Sequence, residues 1–308
     1  MHRYNTNHRL LTTIGLMLVL GMAFLWYFMT WVSWSIIFNS FSEAIINSSD
    51  KLPASIWGRI YFTAYTLTTL GRGDYVPQTT FWHLLTGLAA ANGFFLVTLS
   101  IAYLFPIISA AIQKRSLAIH ISTLGGTGNE ILVNAWNGKD FGNLDQHLIN
   151  LTPLIIGLSE QHLAYPVLHY FHSRERTRSL PLSIAALDEA ITLLQYAVPP
   201  EHRPDRASLN PVRRACSAFL KTLKSDYIEP DNHEPSLTPL KLLEQHGIPT
   251  VGDRAFKQAT KHIIKRRKLL LALVRNDGWS WDAVGSSLTT NRAKSLDDET
   301  MLESAILH

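Results

Sequence analysis

The sequence predicts an all-α membrane protein: two transmembrane helices with a re-entrant pore helix and filter loop between them, followed by a helical cytosolic domain. Three observations lead there. Two long apolar runs lie within the first 112 residues. A short aromatic segment, too polar for a third crossing, separates them. The rest of the chain has ordinary soluble composition with apolar residues at helical spacing. The 308 residues are 46% hydrophobic and 17% charged, below the usual quarter for charge. The deficit is local, because before residue 113 the charges are Arg3, Arg9, Glu43, Asp50, Lys51, Arg59, Arg72 and Asp74.

Leu10 to Trp31 is an uncharged run of 22 residues, about 33 Å as a helix against a bilayer core of about 30 Å. Arg3 and Arg9 precede it, and Trp26, Tyr27, Trp31 and Trp34 crowd its far end, as expected for a cytosolic start and an outer aromatic belt. A signal peptide would need a shorter apolar core and small residues where these aromatics stand. The second run, Phe81 to Ile112, meets only His83 before Lys114 and Arg115. At about 48 Å it exceeds a perpendicular crossing, so it tilts or projects into the cytosol, and Pro106 offers a bend. The basic flanks, Met1 to Arg9 and Lys114 to Arg115, place both termini in the cytoplasm of a multi-pass protein of the inner (plasma) membrane.

Between the runs, Ser55 to Tyr75 carries Trp57, Tyr61, Phe62 and Tyr65. A re-entrant half-helix and loop fit it, since irregular backbone at membrane depth survives only inside protein or along a wet pathway. Thr68-Thr69-Leu70-Gly71-Arg72-Gly73-Asp74 is the informative stretch. Glycines at alternate positions let consecutive carbonyls point one way, and stacked carbonyls can replace a cation's water shell. One subunit supplies one wall, so a ring needs several copies.

These residues resemble the potassium-channel signature threonine-valine-glycine-tyrosine-glycine-aspartate, flanked as in bacterial two-transmembrane pore-loop potassium channels. The resemblance implies a homotetramer in which Thr69, Leu70, Gly71 and Arg72 present main-chain carbonyls to potassium as the permeant ion. Thr68, Gly73 and Asp74 support that filter, and no other cofactor is implied. Gly93, 19 residues after Asp74, falls where the family places an inner-helix hinge; close helix packing is the alternative. The variant TLGRGD departs from the family at Arg72. Four guanidinium groups facing the ion at roughly 8 Å, with a dielectric of about 20, would repel it by about 8 kcal/mol together. Arg72 is therefore expected behind the filter, paired with Asp74 or Glu43 of its own or a neighbouring subunit, or stacked on Trp57, Tyr61 or Tyr65. A non-conducting, membrane-anchored interaction or signalling protein that retains the pore fold is the alternative function.

After Lys114, helical spacing marks segments near 147–172, 180–198, 207–227, 237–247 and 253–277, with prolines between them. Gly125-Gly126-Thr127-Gly128 lacks the preceding strand and the lysine of a phosphate-binding loop. Glu160, His162, His169 and His172 cluster in the sequence; on one helix, unless Pro166 interrupts it, the three imidazoles would share an arc of roughly 80°, which suggests a metal or proton sensor, with a histidine-rich packing face as the plainer account. Lys257, Lys261, Lys265, Arg266, Arg267 and Lys268 form a basic helix segment, read as a solvated face or a lipid-headgroup contact. The lone Cys216 excludes an internal disulfide, and the net charge of +4 argues for no nucleic-acid partner. No complete catalytic set is present, so no enzyme is expected. The organisation is a pore domain at 1–115, a linker at 116–130, a helical cytosolic domain at 131–278 and a flexible acidic tail at 279–308, with Met301 to Leu307 as a short docking helix. Membrane lipids are the expected surroundings; a cytosolic regulator has no chemistry legible in the chain.

Overall fold

The computed structural model describes residues 8–173, 175–226 and 228–285. The flexible tail expected at 279–308 is corrected at its start, where Asp282–Gly285 is helical and Trp281 and Val284 are buried; from Ser286 onward, including the expected docking helix at 301–307, it lies outside the described residues. Leu16–Ser109 is one compact unit, and the chain from Ala110 onward belongs to a second.

In the first unit, α1 (His8–Asn39) leads to β1 (Ile45–Asn47), α2 (Ile56–Leu67), β2 (Tyr75–Pro77) and α3 (Thr80–Leu124). The helices Met17–Asn39 and Thr80–Leu124 are long and apolar enough to cross a membrane. Helix α1 continues past Trp31 because its last turns carry core residues: Trp34 and Phe38 are buried. The Phe38 ring meets Phe62 edge-on at 5.3 Å and Trp82 at 6.0 Å. Trp31 also donates from its indole to the Ile60 carbonyl at 3.3 Å. The short antiparallel pair β1 and β2 aligns Ile46 with Val76, and Ser48 N donates to Asp74 O at 3.0 Å. Outside this small core, α1 and α3 expose Met22, Phe24, Phe94, Phe95 and Phe105, more apolar surface than a water-facing monomer carries.

In the second unit, α3 does not stop at residue 115. Residues 116–124, expected as part of a linker, continue the helix because Leu117, Ala118 and Ile121 belong to the core of this unit. Then follow α4 (Gly128–Ala135), α5 (Leu144–Ala164), α6 (Leu180–Tyr196), α7 (Arg206–Asp226), α8 (Lys241–Gln245), α9 (Asp253–Ala259), α10 (Ile264–Asn276) and α11 (Asp282–Gly285). Helix α6 is central, with every residue from Leu180 to Leu194 buried, Asp188 and Glu189 among them. The glycine-rich run is the capped start of α4: Thr127 Oγ1 accepts from Glu130 N at 3.1 Å, and Glu130 accepts from Gly126 N at 2.7 Å. This reciprocal cap accounts for the motif without a ligand.

The basic segment is corrected by the fold. Arg266 and Arg267 are ion-pair partners of the acids that α6 buries, while Lys257, Lys261 and Lys265 are exposed. Arg213 pairs with Asp188 at 2.8 Å, and Arg266 Nε donates to both Asp188 oxygens at 3.0 and 3.1 Å. Arg267, 1% exposed, reaches Glu189 at 3.1 Å and lies 5.8 Å from the Trp281 ring. Burial by itself would raise the Asp188 carboxyl, but Arg213 and Arg266 hold it below its usual range. Cys216 is buried, and that burial pushes its thiol up to about 12.

Candidate pore loop

The loop begins where α2 ends. Ser55 opens α2 by accepting from Gly58 N at 3.1 Å, and a Schellman motif closes it. Leu70 N donates to Tyr65 O at 2.9 Å and Thr69 N to Thr66 O at 3.0 Å. The position that must be left-handed in this motif is usually glycine, but here it is Thr69, with φ of 56°. A β-branched residue in that region costs about 1–2 kcal/mol, strain of the kind that persists where function holds it.

Left-handed φ then recurs at alternate residues, 57° at Gly71 and 79° at Gly73. Among the described residues the only non-glycine positive φ values are at Lys51 and Thr69, so Leu70 and Arg72 keep the opposite sign. Alternation of hand gathers successive N–H groups on one side of a chain and leaves the carbonyls on the other. Residues 68–73 are exposed, and Asp74 is half-buried.

Two supports hold the loop. On one flank Tyr65 Oη donates to Tyr75 O at 2.7 Å, while the Tyr61 ring packs at 5.2 Å from Tyr65 and 6.2 Å from Tyr75. On the other, α3 presses against the last turn of α2 at Gly93. A Cβ there would lie 2.1 Å from the Leu67 carbonyl oxygen, so only glycine permits the approach. At Gly87 a Cβ would meet nothing within 4 Å. Arg59, 7% exposed, anchors the connection after α1 by donating to Phe41 O at 2.9 Å.

Arg72 is exposed and makes no ion pair with Asp74 or Glu43 of its own chain; nor does it stack on Trp57, Tyr61 or Tyr65. Trp57 is itself 79% exposed. Of the expected placements, the intrachain ones are therefore unoccupied.

The three histidines do come together, but not along one helix. Helix α5 ends at Ala164, His169 lies in the 3-10 turn Pro166–Tyr170, and His172 follows it. Pro166 breaks the helix that the spacing suggested. The imidazoles line a cavity of about 20 Å³ together with Lys114 and Asp277. Each is engaged: His162 Nδ1 at 2.9 Å from Leu158 O, His169 Nε2 accepting from Asn276 at 2.9 Å, and His172 Nδ1 at 2.5 Å from Asp277. Burial, then the Lys114 charge, push the His162 imidazole down to about 3. Among the described residues no three His, Cys, Asp or Glu side chains are so placed that they could hold one metal ion. The arrangement is that of a packed polar core, and Glu160 points away from it as an exposed residue.

Sequence reasoning missed the Thr69 conformation, the role of Lys114 in this cluster and the buried acids. The acids left a signal: Asp188 and Glu189 stand adjacent in an otherwise uncharged apolar helix, which demands buried cationic partners.

Comparison with known proteins bears on the first unit and on the chain as a whole. A family model described as "Ion channel" (Ion_trans_2) matches residues 12–110. The uncharacterized membrane protein YdjJ of Bacillus subtilis (strain 168) is 34% identical over 273 residues, covering 89% of this chain and 80% of that one. No solved structure matches the chain.

Proposed function

The chain belongs to the family of the Bacillus subtilis membrane protein YdjJ and carries an ion-channel pore domain, and from that premise we propose that it is the subunit of a homotetrameric potassium-channel-like pore. Helix α2 is its re-entrant pore helix. The carbonyls of Thr69, Leu70, Gly71 and Arg72 take potassium or, less selectively, other monovalent cations, supported by Thr68, Gly73 and Asp74. Both termini and the second unit are cytoplasmic, in the inner membrane. The observation that carries this reading is the alternating left-handed backbone at Thr69, Gly71 and Gly73, seated at the end of a short helix between two helices of membrane length.

Arg72 takes its counter-charge from a neighbouring copy. Among the described residues it has no acidic partner, and Asp74, two residues on, forms no ion pair among them either. In a ring, each Arg72 reaches the next subunit's Asp74, which removes most of the repulsion that unpaired guanidinium groups would impose.

The test is the reversal potential of the purified, reconstituted protein under opposed potassium and sodium gradients, with Gly71→Asp as the dead-filter control. A value near the potassium equilibrium potential, lost in the control, is expected. A value near zero with intact conductance assigns a non-selective cation pore. Absence of conductance in repeated preparations favours the second reading, a membrane-anchored interaction protein that keeps the pore fold, for which the unpaired Arg72 is the motivating observation.

A further inference from the structure

Lys114 and Arg115 are the first cations after a stretch that carries no acid or base other than His83 from Tyr75 onward. In the second unit they open onto a cleft of about 50 Å³, bounded also by Ser173, Arg178, Pro181 and Asp277. Two arginines and a lysine thus line the cleft with one carboxylate. That carboxylate is already occupied, because Asp277 accepts from His172 at 2.5 Å and from Ser179 at 2.8 Å.

The cations differ in how firmly they are held. The Lys114 ammonium donates to the carbonyls of Leu168 at 3.0 Å and Phe171 at 2.7 Å, which fixes it in the wall. Arg115 makes only a long bond, 3.5 Å, to Ala111 O. Arg178 pairs with Glu175 at 2.8 Å, but both side chains are about half exposed, at 48% and 59%, so this pair has little net strength and exchanges readily.

Helix α6 adds a further attraction. Its first residues, Leu180 and Pro181, line the cleft, and its N-cap Ser179 forms no side-chain cap bond because the hydroxyl is committed to Asp277. The positive end of a 17-residue helix is therefore uncapped beside three cations, a combination suited to an anion with several oxygens.

We propose that this cleft binds a phosphate group, carried by an anionic phospholipid headgroup or by a soluble phosphate compound. The place of Lys114 and Arg115 at the end of the apolar run makes a headgroup accessible to it. The site links the occupant to α3, which contributes two of its cations, and so gives the helix that touches Leu67 a chemical handle on its distal part.

The test titrates the full-length protein in detergent, by calorimetry, with inorganic phosphate and separately with dihexanoyl phosphatidic acid. Dihexanoyl phosphatidylcholine serves as the zwitterionic reference. The double variant Arg115→Gln/Arg178→Gln removes two exposed cations, and Lys221→Gln/Lys257→Gln removes the same charge elsewhere. Loss of two charge-assisted contacts is expected to weaken phosphate binding at least about tenfold in the first variant and to leave the second unchanged. Ser173→Asp, which sets an anion in the cleft, is expected to give the same loss. Binding of phosphatidic acid alone identifies a lipid site, whereas equal binding of inorganic phosphate identifies a soluble ligand. If neither probe distinguishes the wild type from the cleft variants, or the control variant loses as much, the proposal is overturned. Since the readout is binding, it is independent of whether the pore conducts.

Discussion

At Gly93 a single methyl group separates two accounts of α3. A hinge glycine matters because the backbone turns there, whereas the observed glycine matters because the Leu67 carbonyl occupies the space a side chain would need. Gly93→Ala must push α3 away from main chain that cannot rotate aside, so a loss of about 1–3 kcal/mol is expected. It should appear as a lower thermal midpoint of the full-length protein, while Gly87→Ala, with open space around it, leaves the midpoint in place. An unchanged midpoint with altered open probability would return Gly93 to the hinge role. His162 supports a second test at this scale. Its imidazole is held down to about 3 by burial and by the Lys114 charge, against about 6.5 in an unfolded chain. The unfolded state is then the better proton acceptor, and stability present above pH 6.5 is lost as the pH falls from there toward 3. Denaturant titrations at pH 7.5 and pH 5 should therefore differ more for the wild type than for His162→Leu; parallel curves would exclude His162 as a source of acid sensitivity.

Helix α6 concentrates the electrostatics of the second unit in two adjacent residues. Asp188 and Glu189 are each 1% exposed, and three arginines converge on them from α7 and α10. Removing the acid strands the cations rather than merely deleting an attraction, so Asp188→Ala is expected to cost about 3–5 kcal/mol. The corresponding loss of helical signal on urea titration is the measurement; a change below about 1 kcal/mol would mean that water, not Asp188, neutralises Arg213 and Arg266. The same element marks what could be read in the chain. Helices α6 and α7 follow local apolar spacing, and α2 follows from a short aromatic run too polar for a crossing, so these were legible. The partner of an arginine was not, because Arg266 and Arg267 find their acids 78 residues away. The break after Ala164 was half legible: Pro166 announced it, but its effect of folding His169 and His172 back toward His162 depends on packing against Asn276 and Asp277. In the loop, glycine identity disclosed the left-handed positions 71 and 73, whereas Thr69 adopts its strained φ only because a helix cap forces it there.

For the whole molecule, the decisive property is that one chain builds one wall of the proposed pore. The loop 68–73 is exposed in the single chain, and among the described residues Arg72 has no ion-pair partner. In the proposed ring both are met by neighbouring copies, which makes subunit mixing quantitative. If one Gly71→Asp subunit silences a ring, equal coexpression with wild type leaves about one sixteenth of the flux for a four-fold assembly and about one quarter for a two-fold one. Potassium-driven flux into vesicles, measured across a series of mixing ratios with assembly verified by size exclusion, separates these curves. A decline simply proportional to the wild-type fraction would show that each chain acts alone, and the ring with its Arg72 to Asp74 contacts would have to be abandoned. A fourth-power decline would tie the alternating backbone at Gly71 and Gly73 and the exposure of Arg72 to a single cause, closure of the loop around a shared axis.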